Sequence, residues 1–219
     1  GVAMSNDLGL VVSDILVEGR YRTERSDLVG AIATDRGAPI LGIDLDALKA
    51  RVDALPWVRT ATIERRLPDT LFVRLEERAP LALWQRDGEL TLIDDLGVEV
   101  PGQTPRRFAA LPIVVGEEAP TRARAFLALL SREPDLNKRV RAVTWIGERR
   151  WNVRLDTGVD IELPERAPEK AWSHLAQLQR DHHVLDRDVV AIDLRLPNQL
   201  VVRVAPDVSS RLRTPGKDT

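Results

Sequence analysis

Cysteine is absent from this chain of 219 residues. That excludes disulfide scaffolds, thiolate metal sites, iron–sulfur clusters and a cysteine nucleophile, and it leaves the redox compartment open. Histidine occurs only 3 times, as His174, His182 and His183, with none far off in sequence to complete a metal site. Aromatic residues make up 4%. The tryptophans, Trp57, Trp84, Trp145, Trp151 and Trp172, are scattered without interleaved basic residues, so they read as packing groups rather than a base-stacking platform. Neither sign of charge dominates: 32 Lys and Arg face 34 Asp and Glu, for a formal net charge of −2. Without a global positive field, general nucleic-acid binding is not expected. No apolar run approaches the roughly 20 residues that span a bilayer; the longest near the start is Leu8-Gly-Leu-Val-Val12. No signal-peptide pattern is visible. The opening Gly1-Val-Ala-Met-Ser5 reads as a remnant of expression cloning, and the natural N-terminus is expected to lie elsewhere.

What is present is globular in character, with 43% hydrophobic and 30% charged residues. The length suits one large domain or two modest ones with a real core. Val11, Val12, Ile15 and Val17 predict a first strand, ended by Glu18-Gly19. Thr23 predicts a helix cap, with Ser26 and Asp27 in the first turns and Leu28, Val29 and Ile32 on the apolar side. Asp44 predicts a second cap, before Leu45, Leu48, Val52 and Leu55 on one helical face; Pro56 ends that helix. Residues 58–77 hold two period-2 runs around Pro68-Asp69, a β-hairpin with one buried face. The first module is therefore β-α-α-β-β over residues 10–79, a sheet with two helices on one face.

Arg78-Ala79-Pro80 marks a junction. Strands are expected at 81–85, 89–93 and 98–100, a proline-rich loop at 101–112, and a helix at 121–130. A hairpin at 140–146 and 151–156 continues into 159–163. A second helix, 165–180, buries Ala171, Trp172, Leu175 and Leu178, and two last strands, 189–196 and 199–205, join through Pro197-Asn198. The second module, residues 80–206, is expected to be an antiparallel meandering β domain with two helices, which makes the whole chain α+β. Residues 207–219 are polar and expected to form a flexible C-terminal tail.

Catalytic patterns are missing. There is no nucleophile elbow, phosphate-binding glycine loop, His-Glu-x-x-His or dinucleotide fingerprint. Asp181-His-His183 places adjacent histidines on different faces and reads as a solvated helix end, where cationic His suits the dipole. Asp94-Asp95 before Gly97 reads as a turn. Asp156-Thr-Gly158 resembles the aspartic-protease tripeptide but has no second copy to share a proton with. No cofactor or metal is expected. The C-terminal run 200–204 is unusual in being apolar on both faces: Leu200, Val202 and Val204 on one, Val201 on the other. Such a strand is either buried centrally on both sides or lies at a sheet edge, where it is an aggregation liability unless a partner pairs with it.

Several segments together carry a resemblance. Val17-Glu18-Gly19, Leu55-Pro56-Trp57-Val58, Arg66-Leu67-Pro68-Asp69-Thr70-Leu71 and Glu77-Arg78-Ala79-Pro80-Leu81-Ala82-Leu83-Trp84 resemble the FtsQ/DivIB family of bacterial cell-division proteins. Asp94 to Gly97, Arg150-Trp151 and Asp193-Leu194-Arg195 are similar to that family's β domain. The resemblance implies that residues 10–79 are a POTRA domain. It implies a non-enzymatic scaffold of the divisome, acting during septum formation on the periplasmic face of the inner membrane, with an N-terminal transmembrane helix in the parent protein that this chain lacks. The implied partners are FtsB, FtsL and other division proteins, with FtsB held by strand addition beside the Asp-Leu-Arg motif. Carried over, the binding residues are Arg195, Leu196, Leu200, Val201, Val202, Arg203 and Val204, with Arg149 as an outlying candidate and Arg195 as donor to an acidic partner residue. On the first module, residues 60–66 are the candidate recruiting surface. A POTRA-bearing secretion or outer-membrane assembly factor is the alternative binding module, and a cell-wall hydrolase the alternative enzyme.

Overall fold

The structure, a computed structural model, describes residues 10–196 and 200–204. The tail expected at 207–219 and the turn at Pro197-Asn198 lie outside the described residues. The chain divides into two compact units: one runs to Ala79 and takes in Val100–Gly102, and the other comprises Pro80–Glu99 and the chain from Gln103.

In the first unit, strands β1 (Asp14–Glu18), β2 (Val58–Arg66) and β3 (Thr70–Glu77) form a sheet in the order β1-β3-β2. β1 runs parallel to β3, and β2 antiparallel to it. Helices α1 (Arg25–Ile32) and α2 (Leu45–Asp53) connect β1 to β2. The expected β-α-α-β-β order is present. Asp44 caps α2 as its sequence position predicts, accepting the N–H groups of Asp46 and Ala47 at 3.0 Å each. The i, i+4 pair Leu48 and Val52 is fully buried against Leu71 and Val73 of the sheet, each side chain stabilising by roughly 1.5–3 kcal/mol.

Two expectations for this unit need correcting. Thr23 does not cap α1: the N-cap is Glu24, whose side chain makes no capping bond. The backbone N–H groups of Arg22 and Thr23 instead donate to the Glu77 carboxylate at the end of β3, at 2.7 and 2.9 Å. That carboxylate holds the chain just before the helix, which begins one residue later than a Thr23 cap would require. Val29 is exposed, and Leu28 and Ile32 are the buried residues of α1, with Ala31 half-buried beside them. The hairpin also buries more than one face. Phe72 points away from the helices yet is 1% exposed, because the guanidinium groups of Arg66 and Arg74 lie over its ring, 3.6 and 5.2 Å from the centroid.

The second unit is built on eight strands: β4 (Pro80–Arg86), β5 (Glu89–Asp94), β6 (Ile113–Val115), β7 (Val140–Ile146), β8 (Arg150–Leu155), β9 (Asp160–Glu162), β10 (Val189–Asp193) and β11 (Val201–Val204). They pair in the order β11-β10-β9-β8-β7-β6-β4-β5. Helices α3 (Ala119–Leu130), α4 (Pro134–Asn137) and α5 (Pro168–His182) accompany them. The α+β class holds, but the sheet is mixed rather than uniformly antiparallel. The pairs β4-β6, β6-β7 and β9-β10 are parallel. Parallel neighbours need a crossover, and α3–α4 and α5 are the crossovers between β6 and β7 and between β9 and β10. The meander survives at β4-β5, across β7-β8-β9 and at β10-β11. The strand expected at 98–100 is reduced to a single bridge between Glu99 and Ile93.

One face of this sheet is the core. Val143, Val153, Ile161 and Ile192 stand in register across four strands and are fully buried with Phe126, Leu130, Trp172 and Leu175 of the helices. Trp151 stacks on Phe126 with ring centroids 4.6 Å apart. Trp172 donates its indole N–H to the Leu130 carbonyl at 3.1 Å, satisfying a group at the C-terminal end of α3. The opposite face carries Thr144, Asn152, Glu162 and Asp193 in the neighbouring register row. It forms a concavity of about 400 Å³ lined by polar and apolar side chains together.

Candidate functional site at the outer edge of the eight-stranded sheet

The alternation of residues in β10 and β11 decides what this edge presents. β11 is antiparallel to β10, with Asp193 opposite Val201, Ile192 opposite Val202, Ala191 opposite Arg203 and Val189 opposite Val204, and an irregularity between Val189 and Ala191. Among the described residues no strand pairs with its outer side. Of the two readings open from periodicity, the run 200–204 is therefore at an edge, not at the centre. Val202 prolongs the core row that runs through Ile161 and Ile192, but remains 40% exposed where its neighbours are sealed. Val201 and Val204 are exposed to 46% and 38%. Among the described residues the core thus runs out to the edge of the sheet and stops there unfinished. Leu200 is half-buried against that core, and Leu196 is exposed.

Val201 and Arg203 lie on the polar face. There the Asp193-Leu194-Arg195 segment folds back on itself: Asp193 Oδ1 accepts both the backbone N–H and the Nε of Arg195 at 2.9 Å, and Oδ2 accepts its Nη2 at 2.6 Å. Arg195 Nε is also 3.1 Å from Glu162 Oε2, and the other Glu162 oxygen pairs with Arg203. Two carboxylates and two guanidiniums make a closed cluster over β9, β10 and β11. The carboxylates are the inner members, with side chains 15% and 16% exposed, and the guanidiniums of Arg195 and Arg203 the outer ones. Hydrogen bonding to Arg195, assisted by the charges of Arg195 and Arg203, holds the Asp193 carboxyl below its usual range, and the same pair raises the pKa of Arg195.

Seven of the eight residues singled out from the sequence thus fall on one edge and its approach. Arg195 differs from expectation in one respect: its guanidinium is already shared between Asp193 and Glu162. Arg149 stands apart. It is exposed in the β7–β8 turn, its N–H closing that turn on the Ile146 carbonyl at 3.3 Å. That turn is at the same end of the sheet as Asp193, but β8 is three places in from β11, roughly 14 Å at the usual strand spacing. Residues 60–66 belong to β2, an edge of the three-stranded sheet. Sequence reading missed Glu162. Its one local signal is the alternation Asp160-Ile161-Glu162 opposite Arg154, whose guanidinium meets Asp160 with two contacts of 2.8 Å.

The residues weighed for chemistry act as structure. Asp94 accepts the N–H groups of Leu96 and Val98 at 2.9 Å each and so builds its turn. His183 ends α5 in the left-handed region and meets Asp186 at 3.1 Å. Among the described residues no three His, Cys, Asp or Glu side chains converge to hold a metal ion, and no helix is long and apolar enough to cross a membrane.

Comparison with known proteins adds a family. Residues 82–195 match the model described as cell division protein FtsQ/DivIB, C-terminal, and residues 10–78 that of the POTRA domain, FtsQ-type. Cell division protein FtsQ of Bradyrhizobium diazoefficiens is 38% identical over 216 residues, a stretch covering 99% of this chain and 63% of that protein. Its namesake from Rhizobium radiobacter is 35% identical over 193 residues, covering 88% of this chain and 92% of the relative. The major extracytoplasmic domain of the cell division protein DivIB from Geobacillus stearothermophilus is a distant likeness, with a TM-score of 0.30 and 15% identity over 50% of this chain and 98% of that one. The chain spans 63% of the Bradyrhizobium relative's length and so corresponds to part of such a protein.

Proposed function

This chain belongs to the FtsQ/DivIB family of cell-division proteins, and from that premise we propose that it is the periplasmic part of a non-enzymatic divisome scaffold that binds FtsB, and with it FtsL, by strand addition along β11. The parent protein, in this reading, is anchored in the inner membrane by a helix upstream of this chain. The observation that carries the proposal is the unfinished edge. β11 has a core-forming row that ends on a 40% exposed Val202, and its outer backbone groups meet no described strand. An extended partner segment supplies the missing ladder through its main chain and covers the valines with alternate side chains.

The test is an NMR titration of this chain with the periplasmic C-terminal segment of FtsB from the same organism, followed amide by amide. Saturable shifts centred on Arg195, Leu196 and β11 are expected. Shifts centred on β2 would keep the partner and move its site to the POTRA domain. Absence of binding would overturn the reading and favour a secretion-type POTRA protein.

A further inference from the structure

Glu162 stands two strands in from the edge, yet its carboxylate holds two guanidiniums that belong to the edge. One oxygen pairs with Arg203 of β11 and the other with Arg195, in the connection from β10 to β11. The register accounts for the reach. Glu162 is opposite Asp193, and Arg203 is opposite Ala191, two residues along on the same face. The long Arg203 side chain must lie across β10 to meet Glu162, and it does so over Ala191, whose methyl group leaves room for its methylene stem. The other members of β11 are valines, so among the described residues Arg203 is its only side-chain hydrogen bond or ion pair to the rest of the sheet. A strand of four exposed residues, paired on one side only among the described residues, has little besides its ladder with β10 to keep it in place.

We propose that Glu162 is the positioning residue of this edge: it pins β11 flat on the sheet through Arg203 and Arg195, so that the strand meets its partner already formed. The consequence for strand position stands on the geometry alone, and the consequence for affinity rests on the strand-addition reading above. A partner that binds only the ordered strand has its apparent dissociation constant raised by the inverse of the ordered fraction.

The experiment compares amide hydrogen exchange in the full chain, in Glu162→Gln and in Arg203→Gln, with the amides of β7 and β8 as internal reference, and pairs it with titration by the FtsB segment. Exchange at the amides of 201–204 that bond to β10 is expected to rise about tenfold in either variant, with the thermal midpoint unchanged, and affinity for the segment to fall about tenfold if the ordered fraction drops to roughly one tenth. The double variant is expected to be no worse than Glu162→Gln alone, because that substitution already removes the tie to Arg203. Salt at 1 M should raise wild-type exchange at 201–204 and leave the variants unchanged. Arg203 is 56% exposed, so its variant keeps the test alive if Glu162→Gln fails to fold. Unchanged protection at 201–204 in a folded variant overturns the proposal, even where the wild type binds the segment at β11. Faster exchange with undiminished affinity upholds the pin and refutes strand addition instead.

Discussion

Proline substitution along β11 separates a partner ladder from a side-chain contact. In an antiparallel strand the N–H and C=O of one residue point to the same side, and successive residues alternate sides. Two of the four β11 residues therefore turn their backbone groups to β10, and two turn them outward. A partner strand can make about four backbone hydrogen bonds with the outward pair, each worth roughly 0.5–1.5 kcal/mol net. Proline at an outward position removes one donor, and its ring pushes the incoming chain away from the neighbouring acceptor. The expected loss is about 1–3 kcal/mol, or roughly 5- to 150-fold in the dissociation constant of the FtsB segment. The fold is expected to survive, since proline is tolerated on the outer side of an edge strand. At the alternate positions proline breaks a bond to β10 and loosens the strand itself. Calorimetric titration of Val201→Pro, Val202→Pro, Arg203→Pro and Val204→Pro, each checked by hydrogen exchange at β10, should show two alternating positions at which binding falls while β10 stays protected. Four folded variants that bind within twofold of wild type would refute strand addition here. A loss without alternation would point to side-chain recognition.

Three further predictions concern local structure, one in the second unit and two in the first. Gly97 and Gly88 share nearly the same backbone, φ +80 and +82, but a Cβ on Gly97 would lie 2.5 Å from the Pro120 carbonyl oxygen, whereas one on Gly88 would meet nothing within 4 Å. Gly88→Ala should cost about 1–2 kcal/mol of strain and Gly97→Ala roughly 2–5 kcal/mol, strain and overpacking together; equal urea midpoints would refute the distinction. Burial works to raise the pKa of Glu77, but hydrogen bonds from Thr23, Arg22 and Tyr21 outweigh it and lower it from 4.5. The stability it contributes is therefore complete above about pH 4.5 and lost as the pH falls through the lowered value. Glu77→Gln should melt below wild type at pH 7, with the gap closing as the pH falls through the lowered value; a gap independent of pH would count against the carboxylate's role. Asp44→Ala should cost about 0.5–2 kcal/mol through two lost capping bonds, with faster amide exchange at Asp46 and Ala47 as its local signature.

Local chemistry was legible where the residues concerned are neighbours in sequence. Asp44 and the Leu48–Val52 spacing predicted α2, and Pro68-Asp69 between two alternating runs predicted the first hairpin. Thr23 failed because the N-cap position falls on Glu24 while the Thr23 N–H is held by Glu77, 54 residues away, and a distant carboxylate leaves no trace in a local capping pattern. The same limit explains the sheet. Ile113–Val115 is too short to alternate visibly, yet it separates β4 from β7 and makes both pairings parallel. A period-2 reading identifies strands but not their neighbours, and helices between strands are the only hint of a crossover. For the site, the two-sided apolar run was readable but ambiguous between edge and centre, because burial on the second side depends on what packs there. Glu162 was invisible for a plainer reason. Its role lies in reaching across β10, and only the register of three strands brings it to Arg203.

Composition along each edge argues for β11 as the edge left open. β2 runs for nine residues with Arg59, Glu64, Arg65 and Arg66 along it, and charged side chains on an edge oppose pairing by another chain. β1 is bracketed by Asp14 and Glu18. β5, at the far side of the large sheet, packs beside the 3-10 turn Pro105–Phe108. β11 has none of these protections among the described residues: three of its four residues are valines, and its single charge is drawn back over the sheet by Glu162. That arrangement makes desolvation of the edge inexpensive, since an arriving strand displaces water mainly from apolar side chains and backbone groups that it can satisfy itself. It also exposes the protein to unwanted pairing, a hazard that a formal net charge of −2 does little to oppose. The strand's four residues limit the ladder it offers to such pairing. The same shortness leaves few backbone bonds to hold it, and in the proposal above the two ion pairs of Glu162 make up for them, so that a carboxylate two strands away readies the edge for a partner.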